Sequence, residues 1–108
     1  MSIQHYPVVG VTFEGRQQIL SDFFKGYHHG AHYAVALERE PSNQYDPNAI
    51  SVSLDVGGSD FRKVGYISKQ DNQLLGKVLD KVKTARLKSI GPNYKGDLGL
   101  TIEAEFDD

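Results

Sequence analysis

The stretch Glu40-Pro-Ser-Asn-Gln-Tyr-Asp-Pro-Asn48 decides the fold, because this run of turn-forming residues separates two alternating segments. Residues 32–39 alternate larger and smaller apolar side chains, as a mostly buried strand requires. Residues 49–54 alternate branched apolar side chains with serines, which places the branched ones inward. The second proline of the stretch presets the φ angle of its turn. The stretch therefore predicts a structured connection between two strands.

The remaining segments predict a mainly β fold with two helices. Four further strands are expected at residues 6–13, 61–67, 86–90 and 98–106, the second of them in a hairpin with residues 49–54. Apolar residues at helical spacing predict a short helix over residues 16–24 and a long helix over residues 69–83. Leu74 and Leu75 belong to the apolar stripe of the long helix. Six short strands with one long and one short helix suggest a small closed or partly closed β-barrel.

Length and composition bound the class of protein. A chain of 108 residues with 39% hydrophobic side chains predicts one globular domain over residues 1–108. The absence of cysteine excludes a disulfide scaffold, a zinc ribbon and a cysteine nucleophile, and it fits an intracellular protein. The sequence contains no apolar run of about 18 residues and no signal-peptide pattern. We therefore expect a cytoplasmic protein that does not enter a membrane.

Charge is segregated along the chain. Residues 1–61 contain three basic and seven acidic side chains, residues 62–95 contain nine and two, and residues 96–108 contain five acids and no base. The basic stretch could attract a polyanion if its side chains gather on one surface, despite the net charge of −2. Lysines that decorate a solvated helix face explain the same numbers.

Three segments in this order resemble the HIRAN domain family: Val8-Val-Gly-Val-Thr-Phe-Glu-Gly-Arg16, Leu37-Glu-Arg-Glu-Pro-Ser-Asn-Gln-Tyr-Asp-Pro-Asn-Ala-Ile50 and Val64-Gly-Tyr-Ile67. The middle segment is the specific one, with its Arg-acid-Pro run and a Tyr-Asp-x-Asn-Ala-Ile sequence that leads into a strand. The resemblance covers about residues 7–105, and the first segment is more similar to bacterial members. It implies a small six-stranded OB-like β-barrel that binds DNA. In fork-remodelling ATPases of DNA repair, such domains capture a 3′ end of single-stranded DNA.

The resemblance also implies which side chains bind the nucleic acid. Tyr45 and Phe13 would stack on bases, and Tyr66 would lie near the phosphates. Asp46 would accept a hydrogen bond from the 3′-hydroxyl group. The remaining two polar positions are Asn43, which would bond the backbone of the end nucleotide, and Lys69, which would meet a phosphate.

This chain departs from the DNA-end-binding members after its first strand. Those members have an arginine and two tyrosines where this chain has Thr12, Phe13 and Glu14. The carboxylate of Glu14 would repel a phosphate, so we expect the affinity to fall unless Arg16 turns inward and replaces the missing positive charge.

Structural roles are alternatives at several of these positions. Asp46 and Asn48 flank a proline, so their side chains could cap the turn without any ligand. Tyr45 could be a buried ring that anchors the loop, and Phe13 could pack in the core. The spacing of three histidines, His28, His29 and His32, could bring two imidazoles to one metal, but no zinc geometry is recognisable.

The sequence contains no nucleophile elbow and no paired-carboxylate signature. We therefore expect a non-catalytic module without cofactor or metal. Its expected partner is single-stranded DNA, with a separate ATPase or nuclease acting in trans. The alternative is a protein–protein interaction module that uses the exposed barrel edge and the acidic ends of the chain.

Overall fold

The computed structural model describes residues 2–28, 33–55 and 60–107, which form six β-strands and two α-helices. Residues 29–32 and 56–59, which include two of the three histidines and the glycine turn of the predicted hairpin, lie outside the described residues. In chain order the elements are β1 (Ser2–Val9), α1 (Arg16–His28), β2 (Val35–Arg39), β3 (Ile50–Asp55), β4 (Phe61–Ile67), α2 (Lys69–Val78), a 3-10 turn (Leu79–Lys81), β5 (Val82–Pro92) and β6 (Leu98–Phe106).

All six strands join one antiparallel sheet in the order β2-β3-β4-β1-β6-β5. β1 connects its two halves, because Ser2–Pro7 pairs with β6 and Val8–Val9 pairs with β4. The sheet curls until its outer strands meet, where Ala34 and Arg86 form an antiparallel bridge. The Leu87 amide also donates to the Tyr33 carbonyl over 3.0 Å. Within the described ranges the two outer strands share one bridge and not a full ladder, so the barrel is partly closed there, which agrees with the sequence prediction.

The core lies between the curled sheet and α1. The branched residues of β3 are almost fully buried, and Leu20 and Phe23 of α1 pack against them. Phe23 also meets the Tyr33 ring edge-on, with centroids 4.7 Å apart. The predicted inward face of β3 is therefore confirmed. The opposite face is different from the prediction, because Ser51, which is paired with Tyr66 of β4, is also buried.

The predicted lengths of the two helices are wrong. α1 has thirteen residues and continues through Gly26, whereas α2 has ten and ends at Val78. The Tyr27 hydroxyl donates to the Lys88 carbonyl over 2.9 Å, which fixes the last turn of α1 against β5. At the end of α2 the chain tightens into the 3-10 turn and then pairs Val82 with Phe106. Tertiary pairing, not local propensity, sets both ends.

Three other boundaries and faces also differ from the predictions. β1 ends at Val9, because Gly10 has a φ of 71° and turns the chain out of the sheet. β5 begins four residues earlier than the predicted Arg86, at Val82. Leu74, predicted in the apolar stripe of α2, is 70% exposed, and Leu75 is the leucine that enters the core.

Close packing explains why a glycine stands in the Val-Gly-Tyr-Ile strand. A Cβ atom on Gly65 would lie 2.4 Å from the Val9 carbonyl oxygen and 2.6 Å from a Val8 methyl group.

We predict that Gly65→Ala lowers the free energy of unfolding by about 1–3 kcal/mol through overpacking, measured by urea denaturation. Gly99→Ala is the matched control, because the added methyl group on that strand glycine meets nothing within 4 Å. Equal stabilities for the two variants would contradict this account.

Candidate nucleic-acid-binding groove

The connection over residues 40–49 is a hydrogen-bonded loop, as its turn formers predict. The Glu40 amide donates to the Ala49 carbonyl over 2.9 Å and closes the base of the loop. The Asn43 side-chain oxygen accepts hydrogen bonds from the amides of Tyr45 (2.9 Å) and Asp46 (3.1 Å). Its side-chain nitrogen donates to Glu40 over 3.1 Å. Asn43 therefore shapes the turn that presents the next three residues.

Asp46 connects the loop to α2. Its Oδ1 accepts from the Asn48 amide at 2.9 Å, and its Oδ2 accepts from Nδ2 of Asn72 at 2.8 Å. These two hydrogen bonds, first that of Asn48 and then that of Asn72, lower the pKa of Asp46, and the nearby charge of Lys69 lowers it further. Asp46 is therefore a carboxylate at neutral pH. The turn-capping role considered for Asp46 is present in the structure.

Tyr66 of β4 lies in a network of charged side chains. Its hydroxyl donates to Oε1 of Glu40 over 2.9 Å, and Nζ of Lys63 lies 3.1 Å from the hydroxyl and 2.7 Å from Oε2 of Glu40. The cations of Lys63 and Arg16 lie 5.1 and 5.3 Å from the centre of the Tyr66 ring. Burial raises the pKa of Glu40, but the hydrogen bonds from Lys63, Asn43 and Tyr66 outweigh it, so the pKa lies below its ordinary value.

The turn between β1 and α1 holds Arg16 and displays Phe13. Arg16 is only 5% exposed, and its guanidinium donates to the Gly10 carbonyl over 2.6 Å and to Glu14 over 3.4 Å. The guanidinium therefore turns inward, where both of these contacts hold it. Phe13 is 65% exposed, so the alternative that places its ring in the core is wrong.

These side chains line one groove of about 860 Å³ between the two loops and the start of α2. All seven residues proposed from the sequence lie on its wall: Phe13, Arg16, Asn43, Tyr45, Asp46, Tyr66 and Lys69. The Tyr45 ring is 84% exposed, so the alternative that it anchors the loop from inside is also wrong. The wall carries two acids, Glu14 and Asp46, and two bases, so its formal charge is balanced.

Sequence reasoning missed three functional neighbours. Asn72 is 3% exposed and donates to Asp46, and Glu40 and Lys63 fix the hydroxyl of Tyr66. Asn72 is the fourth residue of the predicted helix, and nothing in the neighbouring sequence indicates that this polar side chain is buried. Strict alternation would place Lys63 and Tyr66, three residues apart, on opposite faces of β4, whereas the pairing of β3 with β4 shifts register between Val52 and Ser53 and the two side chains are in contact. Their partner Glu40 lies outside β4, in the loop.

The described residues contain no cluster of three or more side chains that could hold a metal ion. The histidine pair considered above is not tested by this, because His29 and His32 are outside the described ranges. Within those ranges, neither helix is long and apolar enough to cross a membrane.

The comparisons with known proteins agree with this fold. The family model of the HIRAN domain matches residues 4–106. A 58-residue part of the chain, 54% of its length, is 41% identical to helicase-like transcription factor of Oryctolagus cuniculus and spans 5% of that protein. The crystal structure of the HIRAN domain of human HLTF matches with a TM-score of 0.63 and 19% identity, over 97% of this chain and 74% of that chain.

A β-barrel of this topology with a groove beside its Tyr-Asp-Pro loop defines a small binding domain. The match over almost the whole chain shows that this chain belongs to the HIRAN domain family.

The lowered pKa of Glu40 predicts an acid-sensitive contribution to stability. A carboxylate whose pKa is lower in the folded state contributes its full stabilisation at pH values above its ordinary pKa of 4.5. This stabilisation is lost as the pH falls through the folded pKa. We predict that the difference in free energy of unfolding between the wild type and Glu40→Gln shrinks from pH 7 to about pH 3. Glu38→Gln, which removes an exposed carboxylate of β2 outside this network, is the matched control. A constant difference for Glu40→Gln would contradict the network.

Proposed function

We propose that this domain binds single-stranded DNA without catalysis and receives the 3′-terminal nucleotide in the groove. The observation that carries the proposal is that residues from four separate parts of the chain, 13–16, 43–46, 66 and 69, line one opening with two exposed aromatic rings. Grooves that combine exposed rings with a few cations are typical of proteins that bind unpaired strands.

The two rings provide the sequence-independent part of binding. Phe13 and Tyr45 project from different loops, and both rings are accessible from the groove. Every base has a π-face, so stacking contributes about 1–3 kcal/mol per base with little dependence on sequence. The hydrogen bond from the Tyr45 amide to Asn43 fixes the backbone that carries the ring, so less conformational freedom is lost on binding.

Asp46 is the candidate for recognition of the end. An ionised carboxylate has about four acceptor sites, and the two hydrogen bonds from the loop and α2 use one on each oxygen. A 3′-hydroxyl group can donate to a remaining site. A 3′-phosphate brings a second negative charge to the same place and would be repelled.

Phosphate contacts have a smaller role in this proposal. Lys69 is exposed on the wall at the first turn of α2 and would meet a phosphate. The guanidinium of Arg16 already binds Gly10 and Glu14, so it mainly offsets the carboxylate. The formal charge of the groove is therefore balanced. Any processing of the DNA end during repair would come from a separate ATPase or nuclease that acts in trans.

The stacking role of Tyr45 can be tested with a single pair of variants. We predict that Tyr45→Ala weakens the binding of a fluorescent oligonucleotide about 5- to 150-fold, the loss of one stacked base, in a fluorescence anisotropy titration. Tyr45→Phe keeps the ring and is the matched control, with an affinity near that of the wild type. Unchanged binding by Tyr45→Ala would reject this role. A wild type that ignores oligonucleotides but captures a protein would favour the protein-interaction alternative.

End recognition needs a different comparison. We predict that an oligonucleotide with a 3′-phosphate binds several-fold more weakly than the same oligonucleotide with a 3′-hydroxyl, because Asp46 repels the added charge. Asp46→Asn removes the repulsion; its single amide oxygen can accept from the Asn48 amide or from Asn72 but not from both, so the readout is the ratio of the affinities for the two ends and not either affinity alone. The difference between the two ends should then disappear. Equal affinities for both ends in the wild type would refute this role of Asp46.

A further inference from the structure

A second cavity, of about 370 Å³, lies next to the groove between the 40–49 loop and α2. Ala49 and Asn72 line both openings, so the two are neighbours. We call it the Arg39–Lys77 cavity after its two charged residues. Pro41 and Pro47 form part of its wall and restrict the backbone there.

The lining of the Arg39–Lys77 cavity suits an anion. It contains two cations and three side-chain amides, those of Asn48, Asn72 and Gln73, and its lining residues include no carboxylate. The groove, by comparison, has two carboxylates on its wall. A neutral or cationic ligand would leave the two positive charges without a counter-charge, whereas a phosphate group can accept hydrogen bonds from both.

Arg39 is held in place by the helix. Its guanidinium donates a hydrogen bond to the Gly76 carbonyl, one of the last four carbonyls of α2, which have no partner within the helix. The C-terminal end of a helix carries about half a negative charge. The two full positive charges of Arg39 and Lys77 exceed it, so the cavity remains positive. The guanidinium has five N–H donors and uses one in this contact, so a phosphate can take others.

The spacing along α2 connects this cavity with the groove. Lys69 lines the groove, and Gln73 and Lys77 line the Arg39–Lys77 cavity. Residues four apart lie on the same side of a helix. At 1.5 Å per residue, Lys69 and Lys77 are separated by about 12 Å along the axis. A strand with its terminal nucleotide in the groove could therefore follow this side of α2 to the cavity.

We infer that the Arg39–Lys77 cavity is a phosphate subsite and that it receives a backbone phosphate of the strand whose 3′ end lies in the groove. The second half of this inference rests on the proposed function. The first half concerns phosphate chemistry alone, and free phosphate is the other source of the same group.

The experiment has two arms. In the first, inorganic phosphate is titrated into the 15N-labelled protein at constant ionic strength, and the amide shifts of Asn48, Gly76 and Lys77 are followed in the wild type and in Lys77→Ala. In the second, the affinity for a hexanucleotide and for a dinucleotide is measured as a function of salt. The variants are Lys77→Ala, Lys69→Ala and the control Lys83→Ala, an exposed lysine of β5 that lines neither opening.

We expect phosphate to shift the cavity amides in the wild type and not in Lys77→Ala. With the hexanucleotide, Lys77→Ala and Lys69→Ala should each reduce the slope of log K against log salt by about 0.7. With the dinucleotide, which has one internucleotide phosphate, Lys77→Ala should have no effect. Lys83→Ala should keep the wild-type slope in both cases.

Each other outcome has a definite meaning. Phosphate shifts without a change of the hexanucleotide slope would assign the cavity to free phosphate and overturn the assignment to the strand. No phosphate shift and no slope change for Lys77→Ala would overturn the subsite entirely. A wild type that binds phosphate but no oligonucleotide would reject the proposed function of the groove and keep the phosphate chemistry of the cavity.

Discussion

The hydrogen bond from Asn72 to Asp46 is the contact on which both openings depend. It joins the 40–49 loop to α2 at 2.8 Å, and Asn72 forms part of both walls. Because Asn72 is almost completely buried, loss of its acceptor would leave a polar group unsatisfied at a cost of about 1–3 kcal/mol. The loop would then lose its only described side-chain bond to the helix. The backbone that carries the exposed ring of Tyr45 is thus held in place by its neighbours.

A second constraint opens the groove from the other side. β1 and β4 pair only at Val8 and Val9, and Gly65 lets the two strands approach closely. Beyond this point Gly10 turns the chain away, so the face of Tyr66 is not covered by a strand. Arg16 packs into this gap and binds the Gly10 carbonyl. The groove therefore lies where the pairing of β1 with β4 ends early. The side chain of Arg16 occupies the space that a longer strand β1 would fill.

The sequence predicted those features that depend on neighbouring residues. Alternation identified the inward face of β3, and the turn formers identified the loop, because period and turn chemistry are local properties. The length of α1 could not be predicted, since it depends on the bond from Tyr27 to a strand 61 residues away. The role of Asn72 was equally hidden, because its partner lies 26 residues earlier in the chain. The site residues came from the family resemblance, and composition alone would not have assembled them.

The distribution of charge explains why stacking carries more of the proposed binding than electrostatics does. The basic stretch over residues 62–95 does not gather in the groove, where Lys69 is its only cation among the lining residues. Two of its other bases are engaged elsewhere, Lys63 with Glu40 and Arg86 with Glu103. Each phosphate neutralised on a single strand contributes about 0.7 to the salt dependence, so one or two such contacts give a shallow slope. In the proposed binding mode, discrimination would come from the terminal nucleotide, where the two rings and the carboxylate of Asp46 would act together.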